Sequence, residues 1–102
     1  MAIDFATLKF PFDPSKGGPQ FLEQTVAFAT TVQKADVAIH SFDFGFTDSE
    51  HPVHRLAILP NVLARDGNTV RVGVELAIRD RSEFFDDTFD GVVDVLVIVV
   101  TA

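Results

Sequence analysis

The sequence predicts an all-β protein built as an antiparallel β-sandwich. Apolar and polar residues alternate in several segments, which is the period of a strand with one buried face. Clusters of glycine, proline, asparagine and aspartate separate these segments, as expected for turns between strands. No segment has the three-to-four-residue spacing of an amphipathic helix. These features together predict about five strands packed as two sheets.

The first part of the chain is predicted to be an irregular lead-in. Three of the five prolines and two of the six glycines fall within residues 11–20, a composition typical of irregular backbone. We therefore expect a lead-in over residues 1–20 and a β-sandwich binding domain over residues 21–102.

Two strands are predicted in the first half of this domain. β-branched residues alternate over residues 25–32, which indicates a strand. Lys34 to Asp36 interrupt the alternation, and a second strand is predicted over residues 37–46. One face of the second strand carries three phenylalanines, and we expect it to face the core because aromatic rings bury large apolar areas. That face consists of Ala38, His40, Phe42, Phe44 and Phe46.

Three further strands are predicted in the second half. Thr47 to Pro52 form a loop of turn formers and acids, and a short strand follows over residues 53–59. Asp66-Gly67-Asn68 is typical of a tight hairpin, since glycine and asparagine tolerate positive φ. The hairpin leads into a strand over residues 69–79, and the last strand covers residues 92–101.

The last predicted strand is apolar on both faces, so both faces need to be covered. Two explanations stay open. The strand lies in the centre of the sandwich and is buried by its own chain, or one face is covered by another copy in an oligomer.

Composition limits the function. Of the 102 residues, 47% are hydrophobic and 23% are charged, so we expect one folded domain with a small core. Acidic residues outnumber basic residues by 15 to 8, which gives a net charge of -7. Because phosphates and anionic lipids attract basic residues, this balance predicts no nucleic-acid partner and no membrane partner. The absence of cysteine excludes disulfides, thiolate zinc sites and thiol nucleophiles.

We expect no targeting signal in this sequence. Residues 1–12 lack the basic and apolar regions of a signal peptide. Residues 92–100 are strongly apolar but too few to span a bilayer as a helix, which predicts no membrane insertion. We expect a cytoplasmic location by default, and export without a cleaved signal stays open.

The order of these segments resembles the H-type lectin domain family. The resemblance rests on TVAFATTVQKADVAIHSFDF, then HRLAILPNVLARDGNTVRVGVELAIRD, then VDVLVIVV, and it covers about residues 22–101. It implies a six-stranded antiparallel β-sandwich that assembles as a parallel homotrimer through its apolar sheets. It also implies binding of sugars such as N-acetylgalactosamine near the clefts between protomers.

The resemblance supplies positional candidates for a carbohydrate ligand. Family members use an arginine on the strand after the second loop, a place that Arg55 holds. Others use a polar residue at the end of the fourth strand, where this chain has Arg79 and Asp80 in place of the usual histidine.

The remaining ligand candidates complete the expected sugar site. The family's binding aromatic is commonly Trp or Tyr, and this chain has neither, so Phe84 or Phe85 would supply the apolar platform. Asp43 or His51, from either protomer, would add hydrogen bonds to sugar hydroxyls.

An acidic segment over residues 80–91 suggests a calcium site. Asp86, Asp87 and Asp90 offer carboxylate oxygens, and Gly91 allows a sharp turn. Their spacing differs from that of an EF-hand, so a solvated acidic loop is the alternative. No other cofactor is expected.

The three histidines allow two interpretations. His40, His51 and His54 would form a zinc site if the fold brought their imidazoles together. Alternatively, His40 is a hydrogen-bonded residue near the core, and His51 or His54 lines a cleft between protomers, where its titration would make assembly depend on pH.

The sequence contains no catalytic motif that the usual signatures describe. No serine lies in a GxSxG elbow, and Gly17-Gly18 lacks the spacing of a phosphate loop. We therefore expect a non-catalytic protein. The first hypothesis is a lectin-like carbohydrate-binding module, and the second is a structural trimerisation domain, such as a fibre or surface-assembly component.

Overall fold

A computed structural model describes residues 1–15, 19–47, 53, 55–79 and 88–102 of the chain. Six β-strands and no helix occur in these ranges. The strands are β1 (Ala2–Ser15), β2 (Gln20–Ala27), β3 (Val32–Phe46), β4 (Arg55–Asp66), β5 (Thr69–Arg79) and β6 (Phe89–Thr101). The prediction of an all-β protein is therefore confirmed.

The strands form two three-stranded antiparallel sheets. Sheet A has the order β1-β6-β3, and sheet B has the order β2-β5-β4. β4 and β5 form a hairpin within sheet B, whereas every other connection joins the two sheets. The connections β1–β2, β3–β4 and β5–β6 consequently share one end of the molecule, which is 50 Å long. We call this the cleft end, and the opposite end, with the β4–β5 turn, the hairpin end.

The core lies between the sheets and comes mainly from their central strands. Both strands alternate, so one face of each points between the sheets and is almost completely buried. Each buried valine, leucine or isoleucine contributes roughly 1.5–3 kcal/mol relative to an exposed one. The buried hydrophobic residues of these strands are Val70, Val72, Val74, Leu76, Ile78, Phe89, Val93, Val95, Val97 and Val99.

The prediction of an irregular lead-in over residues 1–20 is wrong for residues 2–15, which form β1. This strand pairs with β6 in continuous register from Ala2 to Phe12. Pro11 and Pro14 suggested irregular backbone, but β1 is an edge strand, where a proline costs no ladder hydrogen bond if its nitrogen faces outward. The Gln24 side-chain amide donates to the Lys9 carbonyl oxygen and ties β1 to β2 of the other sheet.

The strand predicted over residues 25–32 is divided between two sheets. β2 ends at Ala27, and β3 begins at Val32 after a crossover that lies against the β4–β5 turn. The Phe28 amide donates to the Asn68 carbonyl oxygen at 2.8 Å, and the Asn68 side-chain amide donates to the Phe28 carbonyl oxygen at 2.8 Å. The apolar alternation in the sequence extends through this crossover because Phe28 and Val32 are both buried. It therefore predicted one strand where the structure has two. The predicted interruption at residues 34–36 is part of β3.

A β-bulge changes which side of β3 faces the core. The register with β6 shifts between Ile39 and Ser41, so that His40 is the extra residue. Before the bulge, Val37 packs against the core, and after it, Phe44 and Phe46 do. The predicted core face is therefore confirmed for these two phenylalanines and wrong for Ala38, His40 and Phe42, which are exposed.

The predicted hairpin is confirmed. β4 and β5 pair from Asp66–Thr69 onward, and Gly67 has a φ of 58°, a value that favours glycine. β4 extends over residues 55–66, beyond the predicted segment 53–59, since Pro60 lies on an edge strand.

The last strand, β6, is the central strand of sheet A. This position agrees with the explanation that the strand lies in the centre of the sandwich. The inner side of β6 is buried by the chain itself. Its outer side, with Leu96, Ile98 and Val100, is only partly buried. The chain therefore covers one of the two apolar faces of β6 and leaves the other accessible.

Candidate functional site

An open cleft of about 590 Å³ lies at the cleft end of sheet A. The end of β1, the end of β3 and the start of β6 line it. Three carboxylates from these three strands, Asp13, Asp43 and Asp90, share the cleft with Phe44 and Phe46. We take this cleft as the candidate site because it combines hydrogen-bond acceptors with apolar surface.

Strand pairing places the carboxylates. Asp43 pairs in register with Val92, and Asp90 pairs with Gly45. Asp43 alternates with the core-facing Phe44, so its side chain points to the outer face of sheet A and is exposed. Asp13 reaches the cleft where β1 shifts register between Phe12 and Ser15.

Two glycines, Gly45 and Gly91, lie in the lining of the cleft. Gly91 has a φ of 154°, and a Cβ atom there would lie 1.9 Å from the Phe44 Cβ and 2.5 Å from the Asp43 carbonyl oxygen. Glycine therefore allows β3 and β6 to approach at this point. Gly45 has no atom within 4 Å of the position of a Cβ, so the cleft is open beside it.

The described lining of the cleft is acidic. It contains no lysine, arginine or histidine. Within the described ranges, no three histidine or acidic side chains are grouped closely enough to hold a metal ion. The oxygens of the three carboxylates can accept hydrogen bonds from a ligand that presents several hydroxyl or ammonium donors.

The structure brings together two of the residues predicted from the sequence. Asp43, a ligand candidate, and Asp90, a calcium candidate, both line the cleft. Arg55 is exposed at the start of β4 in sheet B, where it pairs in register with Arg79, and it does not line the cleft. The other ligand and calcium candidates lie outside the described residues; they are His51, Asp80, Phe84, Phe85, Asp86 and Asp87.

The predicted zinc site has only one of its histidines in the described residues. His40 is exposed on the bulge of β3 rather than near the core. His51 and His54 lie outside the described residues. The proposal of a histidine site therefore stays a prediction.

Asp13 is a cleft residue that the sequence prediction missed. A signal was present, because Phe10 and Phe12 alternate with Pro11 and Asp13, as in a strand with one buried face. Pro11 and Pro14 led to the prediction of irregular backbone despite this short alternation. The missed strand β1 therefore also hid the third carboxylate.

Comparison of the chain with protein-family models, with curated proteins and with solved structures finds no match. In the part of the chain that the structure describes, no helix has the length and apolar character needed to cross a membrane.

Proposed function

We propose that this chain is a non-catalytic, lectin-like protein that binds carbohydrate and assembles as a homotrimer. The observation that carries the proposal is the cleft, in which three carboxylates from different strands lie beside two phenylalanines. Carboxylates accept hydrogen bonds from sugar hydroxyls. Phe44 and Phe46 pack against the core, and the part of each that stays exposed adds apolar surface to the cleft for the C–H groups of a sugar. A volume of about 590 Å³ is within the usual range for small-ligand sites.

The fold is compatible with the resemblance to the H-type lectin domain. Two three-stranded antiparallel sheets match the six-stranded sandwich that the resemblance implies. Arg55 and Arg79 pair in register at the cleft end of sheet B, outside the lining of the cleft, and with Asp80 they stay positional candidates that the resemblance supplies.

The outer face of sheet A supports assembly. Ile3 is 66% exposed and Phe5 is 59% exposed, and both lie beside the partly buried Leu96, Ile98 and Val100 of β6. An apolar sheet face of this kind is unusual on a monomer and is typical of an interface. The cleft lies at the end of the same face, so it would adjoin the boundary between protomers.

The test is a glycan array on the purified protein, with and without calcium, together with a light-scattering mass. We expect binding by a species of about 34 kDa, three times the chain mass of 11.2 kDa. The double variant Asp43→Asn and Asp90→Asn should lose binding and keep this mass. Glu23→Gln, which removes a charge from the outer face of sheet B, is the matched control and should bind normally.

A structural trimerisation domain is the second candidate. The observation that favours it is the apolar outer face of sheet A, which does not depend on the cleft. A trimer that binds no glycan on the array would support this second candidate and would contradict the first.

A further inference from the structure

A second pocket, of about 410 Å³, opens between the two sheets near the hairpin end. It lies where the edge strand β3 of sheet A faces the edge strand β4 of sheet B. Lys34 and Ala35 line it from β3, and Val62 and Arg65 line it from β4. The cleft lies at the opposite end of the molecule and shares no lining residue with this pocket. We call the second site the basic pocket.

A β-bulge in β3 leaves room for the basic pocket. The register with β6 shifts between Val32 and Lys34. Ala35, rather than Lys34, therefore faces the inside of the sandwich, and its short side chain leaves space between the sheets. Lys34 leaves β3 on the outer side of sheet A and lines the pocket from its β3 rim. The flexible stem of a lysine lets its ammonium group meet an anion at such a rim.

A second β-bulge turns an arginine of β4 inward. The register with β5 shifts between Val62 and Ala64. Arg65, rather than Ala64, therefore pairs with the buried Val70 and starts on the inner side of sheet B. Val62 lies on the same side and packs against the core, so it gives the pocket an apolar wall. An inward-pointing charge on an edge strand also discourages unwanted strand pairing, and that role alone predicts no ligand.

The two cations of the basic pocket form no ion pair within the described part of the chain. Lys34 and Arg65 are both exposed. The acids nearest to them in the sequence are Asp36 and Asp66. The Asp36 carboxylate accepts a hydrogen bond from the Val37 amide at 2.8 Å, and Asp66 lines a different pocket on the outer face of sheet B. Positive charge is therefore concentrated here, on a chain whose net charge is -7.

This combination of groups suits an anion that carries an apolar body. Arginine and lysine bind carboxylate or phosphate oxygens through charge-assisted hydrogen bonds. Ala35 and Val62 are partly buried against the core and offer apolar surface beside these cations. The volume of the pocket is within the usual range for small-ligand sites.

We propose that the basic pocket binds a small amphiphilic anion, namely a carboxylate or phosphate group on a short hydrocarbon chain. Arg65 and Lys34 bind the anionic group, and Ala35 and Val62 contact the hydrocarbon chain. This function goes beyond carbohydrate binding and requires neither the cleft nor an assembly.

Isothermal titration calorimetry of the full chain with octanoate and with octyl phosphate tests the charged half of the site. At least one of the two should bind, and Lys34→Gln and Arg65→Gln should each raise its dissociation constant at least about fivefold. Lys9→Gln and Arg71→Gln are the matched controls, since both side chains are exposed and lie outside the pocket. Each control should change the dissociation constant less than about twofold at physiological salt.

The apolar half of the site is tested with altered ligands and a filled pocket. Octanamide lacks the charge, and acetate and inorganic phosphate lack the chain, so each should bind at least about tenfold more weakly than the better of the two amphiphiles. Ala35→Leu places a larger side chain in the pocket and should abolish binding. Circular dichroism must show that this variant is folded, and Ala35→Val, expected to weaken binding, replaces it if it is not.

The outcomes distinguish this inference from the proposed function. If neither octanoate nor octyl phosphate binds, the inference is overturned and Arg65 keeps only its role at the sheet edge. Equal binding of octanamide, or equal losses in the matched controls, also overturns it. Binding that depends on Lys34 and Arg65 in a protein that binds no glycan supports the inference and contradicts carbohydrate binding.

Discussion

Replacement of Gly91 by alanine tests how the cleft is built. Gly91 lies at the start of β6, where it pairs in register with Phe44 of the neighbouring strand β3. An alanine Cβ would lie 1.9 Å from the Phe44 Cβ and 2.5 Å from the Asp43 carbonyl oxygen. Ordinary van der Waals contact begins at about 3.4 Å, so β3 would have to move away by more than about 1 Å. The φ of 154° adds strain for any residue with a side chain.

The expected loss of stability combines these two effects. Overpacking of a closely packed site costs about 1–3 kcal/mol, and an unfavourable backbone conformation costs about 1–3 kcal/mol. Because β3 can relax in part, we expect Gly91→Ala to lower the free energy of unfolding by about 2–4 kcal/mol. For a domain of this size, about 1 kcal/mol corresponds to a shift in Tm of about 4–8 °C, so the Tm should fall by at least about 8 °C.

Urea denaturation and thermal melting, followed by circular dichroism, measure this change. Gly45→Ala is the matched control, since Gly45 lies in the same cleft and no atom is within 4 Å of its Cβ position. It should change the free energy of unfolding by less than about 0.5 kcal/mol. Equal effects of the two substitutions, whether both large or both small, would refute the argument from close approach.

Three further predictions concern the sandwich itself, and urea denaturation measures all of them. Gly73→Ala should cost about 1 kcal/mol, less than Gly91→Ala, because the atom 2.6 Å from its Cβ position is the far end of the Phe21 ring, which can turn away. Leu76→Ala should cost about 2–5 kcal/mol, since Leu76 is fully buried, whereas Leu59→Ala should cost less than about 1 kcal/mol because Leu59 is 48% exposed. Asn68→Ala should cost about 1 kcal/mol through loss of its hydrogen bond to the crossover, and an unchanged midpoint would contradict a role in docking the hairpin.

Local patterns predicted the elements whose structure depends on nearby residues. The alternation over residues 69–79 gave β5 with its observed bounds, because each apolar residue faces the same core. The Asp66-Gly67-Asn68 turn gave the hairpin, since positive φ at Gly67 is a local requirement.

Features that depend on the partner strand could not be predicted in this way. A sequence does not show that β1 is an edge strand, and only that position makes Pro11 compatible with the sheet. The bulge at His40 arises from pairing with β6, more than 50 residues away in the chain. A one-residue shift reverses every side chain beyond it, so the predicted core face was correct on one side of the bulge only.

The sequence indicated which kind of side chain, the carboxylate, could bind a ligand, but not which carboxylates lie together. Asp43 and Asp90 are both carboxylates, one predicted to bind sugar and one calcium, and no feature of the sequence links the two. They meet because β3 and β6 pair so that Asp90 lies opposite Gly45, two residues beyond Asp43. Asp13 joins them from the missed strand.

The outer face of sheet A explains why β6 is apolar on both sides. The inner side of β6 forms the core. Its outer side carries Leu96, Ile98 and Val100 toward the hairpin end, Asp94 in the middle and Asp90 in the cleft. A single face thus holds an apolar surface suited to self-association and, at its end, a cleft suited to hydroxyl donors. A symmetric assembly that leaves the cleft open would repeat it once in every protomer at equivalent positions. Weak single sites would then bind a repetitive glycan surface by avidity, so a variant that separates the protomers should weaken multivalent binding while single-site affinity stays the same.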